Sequence, residues 1–119
     1  MLNSFITLIL LSWVGTGTPA DEDLIVKGSI PEFPSSYDHP IYAGYLNLTV
    51  FDKAFYYFLF MSQSGHESDP LLVWLNGGPG CSSLGGMTSE NGPFVFETNS
   101  TKMKINQNAW NKNAHVLYL

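Results

Sequence analysis

The sequence predicts an α/β protein in which an antiparallel hairpin leads into a mixed, mostly parallel sheet. Three observations carry this. Tyr45 to Val50 alternates apolar and polar residues, the period of a half-buried strand. Leu71-Leu72-Val73-Trp74-Leu75 is apolar without alternation, as in a strand buried on both faces. A glycine-rich loop, Gly77-Gly78-Pro79-Gly80, follows that strand directly. In α/β sheets the ligand crevice lies outside the carboxyl ends of the strands.

Composition narrows the function. The 119 residues allow one domain at most. Five lysines and no arginine stand against ten acids, for a formal charge of −5. That balance excludes a nucleic-acid partner, which would need a basic face, and argues against docking on anionic lipid. A hydrophobic share of 45% and an aromatic share of 14% fit a packed chain. Cys81 is the single cysteine, so no internal disulfide and no cysteine-rich zinc module is available. The three scattered histidines make no metal-ligand cluster.

The elements follow in order. Residues 5–14 form an apolar stretch, shorter than the roughly 20 residues a membrane span needs. With Thr18-Pro19-Ala20 before Asp21-Glu22-Asp23, it predicts a signal peptide over 1–20, cleaved near Ala20. Its amino-terminal region lacks Lys and Arg, and a buried helix or a retained anchor is the alternative. Residues 21–40 hold Pro31, Pro34 and Pro40 among polar residues and read as an irregular arm. The first strand is expected over 42–50, with Leu46, Leu48 and Val50 toward the core and Tyr45, Asn47 and Thr49 toward solvent. After a break at Asp52-Lys53, the second strand runs over 54–62 and closes an antiparallel hairpin. Ser64 to Pro70 is a turn, and 71–75 is the central strand. Ser82 to Glu90 begins a helix weakened by Gly85-Gly86. A short strand is expected over 94–97 and an apolar strand over 115–119. No long amphipathic helix is present to cover the strands, so the chain reads as the front part of a larger α/β domain. Cover by a neighbouring chain is the alternative. Asn47-Leu48-Thr49 and Asn99-Ser100-Thr101 are N-glycosylation sequons, in keeping with a secretory route.

The chemistry is expected in the loop after the central strand. Glycines let a backbone present amide N–H groups to a ligand, and such donors can face a developing oxyanion. The loop is neither a phosphate loop nor a dinucleotide fingerprint. The string Trp74-Leu75-Asn76-Gly77-Gly78-Pro79-Gly80-Cys81-Ser82-Ser83, followed by Glu90-Asn91-Gly92-Pro93-Phe94, closely resembles the serine carboxypeptidases, α/β-hydrolases of lysosomes, vacuoles and secretions. Tyr42 to Leu46, Phe55 to Phe58, Asp69 to Leu71 and Asn108 to Leu119 extend the resemblance to about residues 24–119.

The resemblance implies hydrolysis of the last peptide bond of a peptide or protein, with no cofactor and no metal. It implies that the Gly78 N–H serves an oxyanion hole. Asn76, Gly77 and Glu90 would bind the substrate's terminal carboxylate, and Cys81 would pair with a cysteine outside this chain. Asn76 and Gly77 offer N–H donors. A carboxyl such as Glu90 donates to another carboxylate only while one of the two is protonated. Against the family's pattern, no G-x-S-x-G nucleophile elbow occurs in the 119 residues. The family's catalytic Ser, Asp and His are absent, as in a chain truncated before the elbow. His39, His66 and His115 read as structural. Two readings stay open: the N-terminal portion of a carboxypeptidase, or a secreted, non-catalytic glycoprotein with a binding role.

Overall fold

The computed structural model describes residues 21–119; the expected signal peptide lies outside the described residues. Aromatic and aliphatic residues build two long paired strands, β1 (Ile41–Leu48) and β2 (Lys53–Phe60). They are antiparallel, with Ile41 opposite Phe60 and Leu48 opposite Lys53. The hairpin turn comes earlier than expected. Thr49–Phe51 forms a single 3₁₀ turn, and Asp52 closes it at φ 48°, a left-handed position that Asp tolerates better than most residues.

Three further strands and a helix complete the layout before the last strand. They are β3 (Leu71–Trp74), α1 (Leu84–Ser89), β4 (Phe94–Phe96) and β5 (Met103–Ile105), and β6 (His115–Tyr118) follows. The main sheet runs β1-β2-β6-β3. β6 pairs antiparallel with β2 and parallel with β3. The sheet is mixed, as expected, but among the described residues only one of its three pairings is parallel, because β6 docks against the hairpin. β4 and β5 pair antiparallel as a separate ribbon. β5 was not expected, since three residues between polar neighbours carry too little period to register.

Two expectations about burial are corrected. Opposed residues in the register share a face, so Ile41, Ala43, Tyr45 and Asn47 lie on one side with Phe58, Phe60, Val116 and Tyr118. This is the covered face: Ile41, Phe58, Phe60, Val116 and Tyr118 are core residues. Leu46 and Leu48 point to the opposite side, and Val50 has left the strand for the turn. A strand forms here, but it ends at Leu48 and the apolar parity of the alternation faces away from the core. The second correction concerns β3, expected to be buried on both faces. It is an edge strand, and Leu71 and Val73 are 57% and 53% exposed, because no described layer lies over their side.

The cover on the inner face comes partly from the arm. Tyr37 from the arm, Met87 from α1 and Phe94 from β4 are buried against the sheet, with Ile25, Ile30, Phe33 and Trp74 packed around them. Phe94 is the hub, with ring centroids 4.6 Å from Phe33, 4.8 Å from Tyr37 and 5.8 Å from Phe60. Such tilted and edge-to-face pairs add to area burial. Buried Asn111 ties the arm down. Its amide donates to the Tyr37 hydroxyl at 2.7 Å and the Met61 carbonyl at 3.0 Å, and its oxygen accepts from Gln63 at 2.9 Å. Burial pushes the Tyr37 hydroxyl up to about 12, partly offset by the Asn111 bond.

Candidate active-site loop

The loop is anchored at both ends before it exposes anything. Trp74, the last residue of β3, packs edge-on against Trp110 at 5.3 Å. Its indole N–H donates to Asn76 Oδ1 at 2.8 Å. With that oxygen engaged, Asn76 turns its amide nitrogen toward Glu90, donating to Oε1 at 3.1 Å. The Asn76 backbone N–H donates to the hydroxyl of buried Ser83 at 3.1 Å. Both ends of the loop are thereby closed on one another across seven residues.

Glu90 is held from the other side. It caps the C-terminus of α1, its N–H donating to Gly86 O at 3.1 Å. Gly86 has no room for a side chain: a Cβ there would collide with the Trp74 indole nitrogen and lie 2.7 Å from Asn76 Oδ1. Helix, tryptophan and asparagine therefore interlock through a missing methyl group. Next to Glu90, Asn91 is buried and accepts from the Tyr118 hydroxyl at 2.9 Å, while its amide nitrogen has no partner among the described residues. Burial lifts the Tyr118 hydroxyl well above its ordinary value, and the nearby Tyr37 and Glu90 charges add to the rise.

Between these anchors, residues 77–82 are exposed. Gly78 sits at φ 134° and Gly80 at φ 94°, conformations that glycine alone adopts without cost. A Cβ on Gly78 would stand 2.9 Å from the Gly80 nitrogen. Among the described residues, neither the Gly77 nor the Gly78 amide donates a hydrogen bond. The loop thus presents two free backbone donors beside a side-chain amide of fixed orientation and a carboxyl group.

The other expected residues fall apart in space or stay structural. Cys81 is a free, exposed thiol in the same loop. Asn47 is exposed near the hairpin tip, and Asn99 is exposed in a turn at φ 56°. His115 accepts from the Ser62 N–H at 3.0 Å, and His39 packs edge-on against Tyr37 at 5.2 Å. Among the described residues no group of His, Cys, Asp and Glu is placed to hold a metal. No described helix is long and apolar enough to cross a membrane. Trp74, Gly86, Asn91 and Tyr118 were missed as parts of the site. Trp74 left a signal, since residues two apart at a strand end share a face.

The mixed sheet thus carries a glycine loop with exposed, free amides at the carboxyl end of β3. The family model for serine carboxypeptidase matches residues 31–119. The chain belongs to that family of serine-type peptidases. It is 38% identical over 119 residues to the lysosomal protective protein of Mus musculus, covering 99% of this chain and 24% of that protein. It is 43% identical over 101 residues to serine carboxypeptidase-like 35 of Arabidopsis thaliana, covering 82% and 21%. Carboxypeptidase Y of Candida albicans is 46% identical over 78 residues, covering 66% and 14%. The chain thus spans about a quarter or less of these curated relatives. The relationship is consistent with a secretory-pathway location, lysosomal or vacuolar included.

Proposed function

We propose that residues 21–119 supply the carboxylate clamp and half of the oxyanion hole of a serine carboxypeptidase, entering the secretory pathway behind a signal peptide removed near Ala20. The observation that supports this most is the fixed amide of Asn76. With Oδ1 committed to Trp74, its nitrogen is held as a donor next to the free Gly77 amide. An Asn nitrogen carries two protons; one serves Glu90 and the other serves the carboxylate of the substrate's last residue. Glu90 adds a hydrogen bond when the pair of carboxyls shares a proton. The Gly78 N–H meets the developing oxyanion, a donor of a kind typically worth about 100- to 1,000-fold in rate. The nucleophile, its base and the orienting acid lie outside these 119 residues, and the isolated chain does not cleave.

A chimera tests the reading. Residues 31–119 replace the matching segment of Candida albicans carboxypeptidase Y, and release of the last residue is followed on free-acid and amidated peptides. The chimera is expected to prefer free-acid over amidated peptides. Glu90→Ala removes that group's share of the clamp and is expected to raise KM for free acids while leaving amidated peptides unchanged. An unchanged KM for free acids in Glu90→Ala removes Glu90 from the clamp.

A further inference from the structure

The outer half of the hairpin carries an exposed aromatic pair and, on the same face, a sequon. Tyr45 stands opposite Tyr56 and Asn47 opposite Ala54, so all four side chains share one side of the sheet. The arm, helix and ribbon that cover this face elsewhere do not reach it here: Tyr45 is 67% and Tyr56 43% exposed. Their rings meet at 5.1 Å and 61°, forming one continuous apolar step. Asn47 is exposed and its side chain makes no hydrogen bond among the described residues, and the small Ala54 beside it leaves the ground open. Thr49, the third sequon residue, is exposed just past Leu48, whose φ of −97° and ψ of 79° lead the chain into the turn. Two residues along a strand span roughly 7 Å, within reach of a sugar ring attached at Asn47. A pyranose has a C–H face, and aromatic faces carry the negative quadrupole that attracts it.

The geometry points to Asn47 as an N-glycosylation site whose first N-acetylglucosamine lies against the Tyr45–Tyr56 pair. The inference rests on the secretory reading above. In the transfer, the Asn47 amide nitrogen bonds to the anomeric carbon of a polyprenyl-diphosphate-linked oligosaccharide. The bond from that carbon to the diphosphate oxygen breaks, the diphosphate leaves with the electron pair, and the amide gives up one proton. Asn99 lacks the platform, because the residue two before it is Glu97, an acid.

The test expresses the full chain in a eukaryotic secretory host and quantifies Asn47 and Asn99 glycopeptides by mass spectrometry, a readout independent of folding. Asn47 is expected to be occupied, and bare in Thr49→Ala. With ¹³C-labelled N-acetylglucosamine, NMR is expected to show ring protons of the Asn47 sugar displaced upfield by the tyrosines. Tyr45→Ala keeps the sequon, and in it the displacement should vanish while occupancy stays. Asn47 bare beside an occupied Asn99 overturns the inference and leaves the secretory reading standing. Both sites bare on a chain that retains Met1 overturns both. An occupied Asn47 whose sugar shifts match those of Tyr45→Ala overturns the platform.

Discussion

Adjacent glycines in α1 are expected to respond to alanine with opposite signs. Gly85 has nothing within 4 Å of a built Cβ, whereas a Cβ on Gly86 meets the Trp74 indole nitrogen, Asn76 Oδ1 at 2.7 Å and Trp74 Cδ1 at 2.9 Å. Replacing glycine in a helix gains about 0.5–1 kcal/mol from reduced backbone freedom. Gly85→Ala should collect that gain. Gly86→Ala collects it too, but Trp74 cannot retreat, being packed on Trp110 and the core. Overpacking of this kind costs about 1–3 kcal/mol, and displacing the indole breaks its bond to Asn76, worth about 1 kcal/mol. The net for Gly86→Ala is a loss of about 1–3 kcal/mol, and Asn76 loses its fixed orientation. In the carboxypeptidase chimera, urea unfolding followed by tryptophan fluorescence reads the stability difference, and KM for free-acid peptides reads the orientation. If Gly86→Ala is as stable as Gly85→Ala and leaves KM unchanged, the interlock does not exist.

Other outcomes follow from the same geometry. Trp74→Phe removes the indole donor that holds Asn76 Oδ1; a loss of about 1 kcal/mol corresponds to roughly a fivefold rise in KM for free acids, with amidated peptides unaffected in steady-state assays. Tyr37 and Tyr57 are both raised to about 12 by burial, Tyr57 also by its bond to Asp23. Their hydroxyls ionise more readily in the unfolded chain, so stability is full below pH 10 and falls as pH climbs toward 12; Tyr37→Phe should make that alkaline decline shallower in a pH series of unfolding curves. The isolated chain should release no C-terminal residue above background in a peptide assay, and measurable turnover would refute its lack of a nucleophile.

The hairpin was legible because two runs rich in aromatic and aliphatic residues flank the polar break at Asp52-Lys53, and β6 because Val116 to Leu119 are all apolar. The identity of the covered face was not legible. Parity along β1 separates Leu46 from Asn47 but cannot say which side receives Tyr37 and Phe33, and those come from an arm whose prolines conceal its packing role. β3 shows the converse: an apolar run states what a strand tolerates on each side, and Leu71 and Val73 meet no described layer. In the site, Asn76, Gly77, Gly78 and Glu90 stood out through their motif. Tyr118 read only as core, because its hydroxyl finds Asn91 through the fold and leaves no mark in local spacing, whereas the partner of Trp74 lies only two residues on.

The Trp74–Trp110 contact also makes the loop optically self-reporting. The sequence has three tryptophans, and one of them, Trp13, falls within the expected leader. Among the described residues, indole emission comes from two rings 5.3 Å apart at 87°, close enough to couple their excited states. One of the two is hydrogen-bonded to the amide beside the free glycine donors. A ligand that pulls on Asn76 therefore changes the polarity sensed by one chromophore and the coupling between both. Near-ultraviolet circular dichroism and emission colour are therefore expected to report a ligand at this loop without any label.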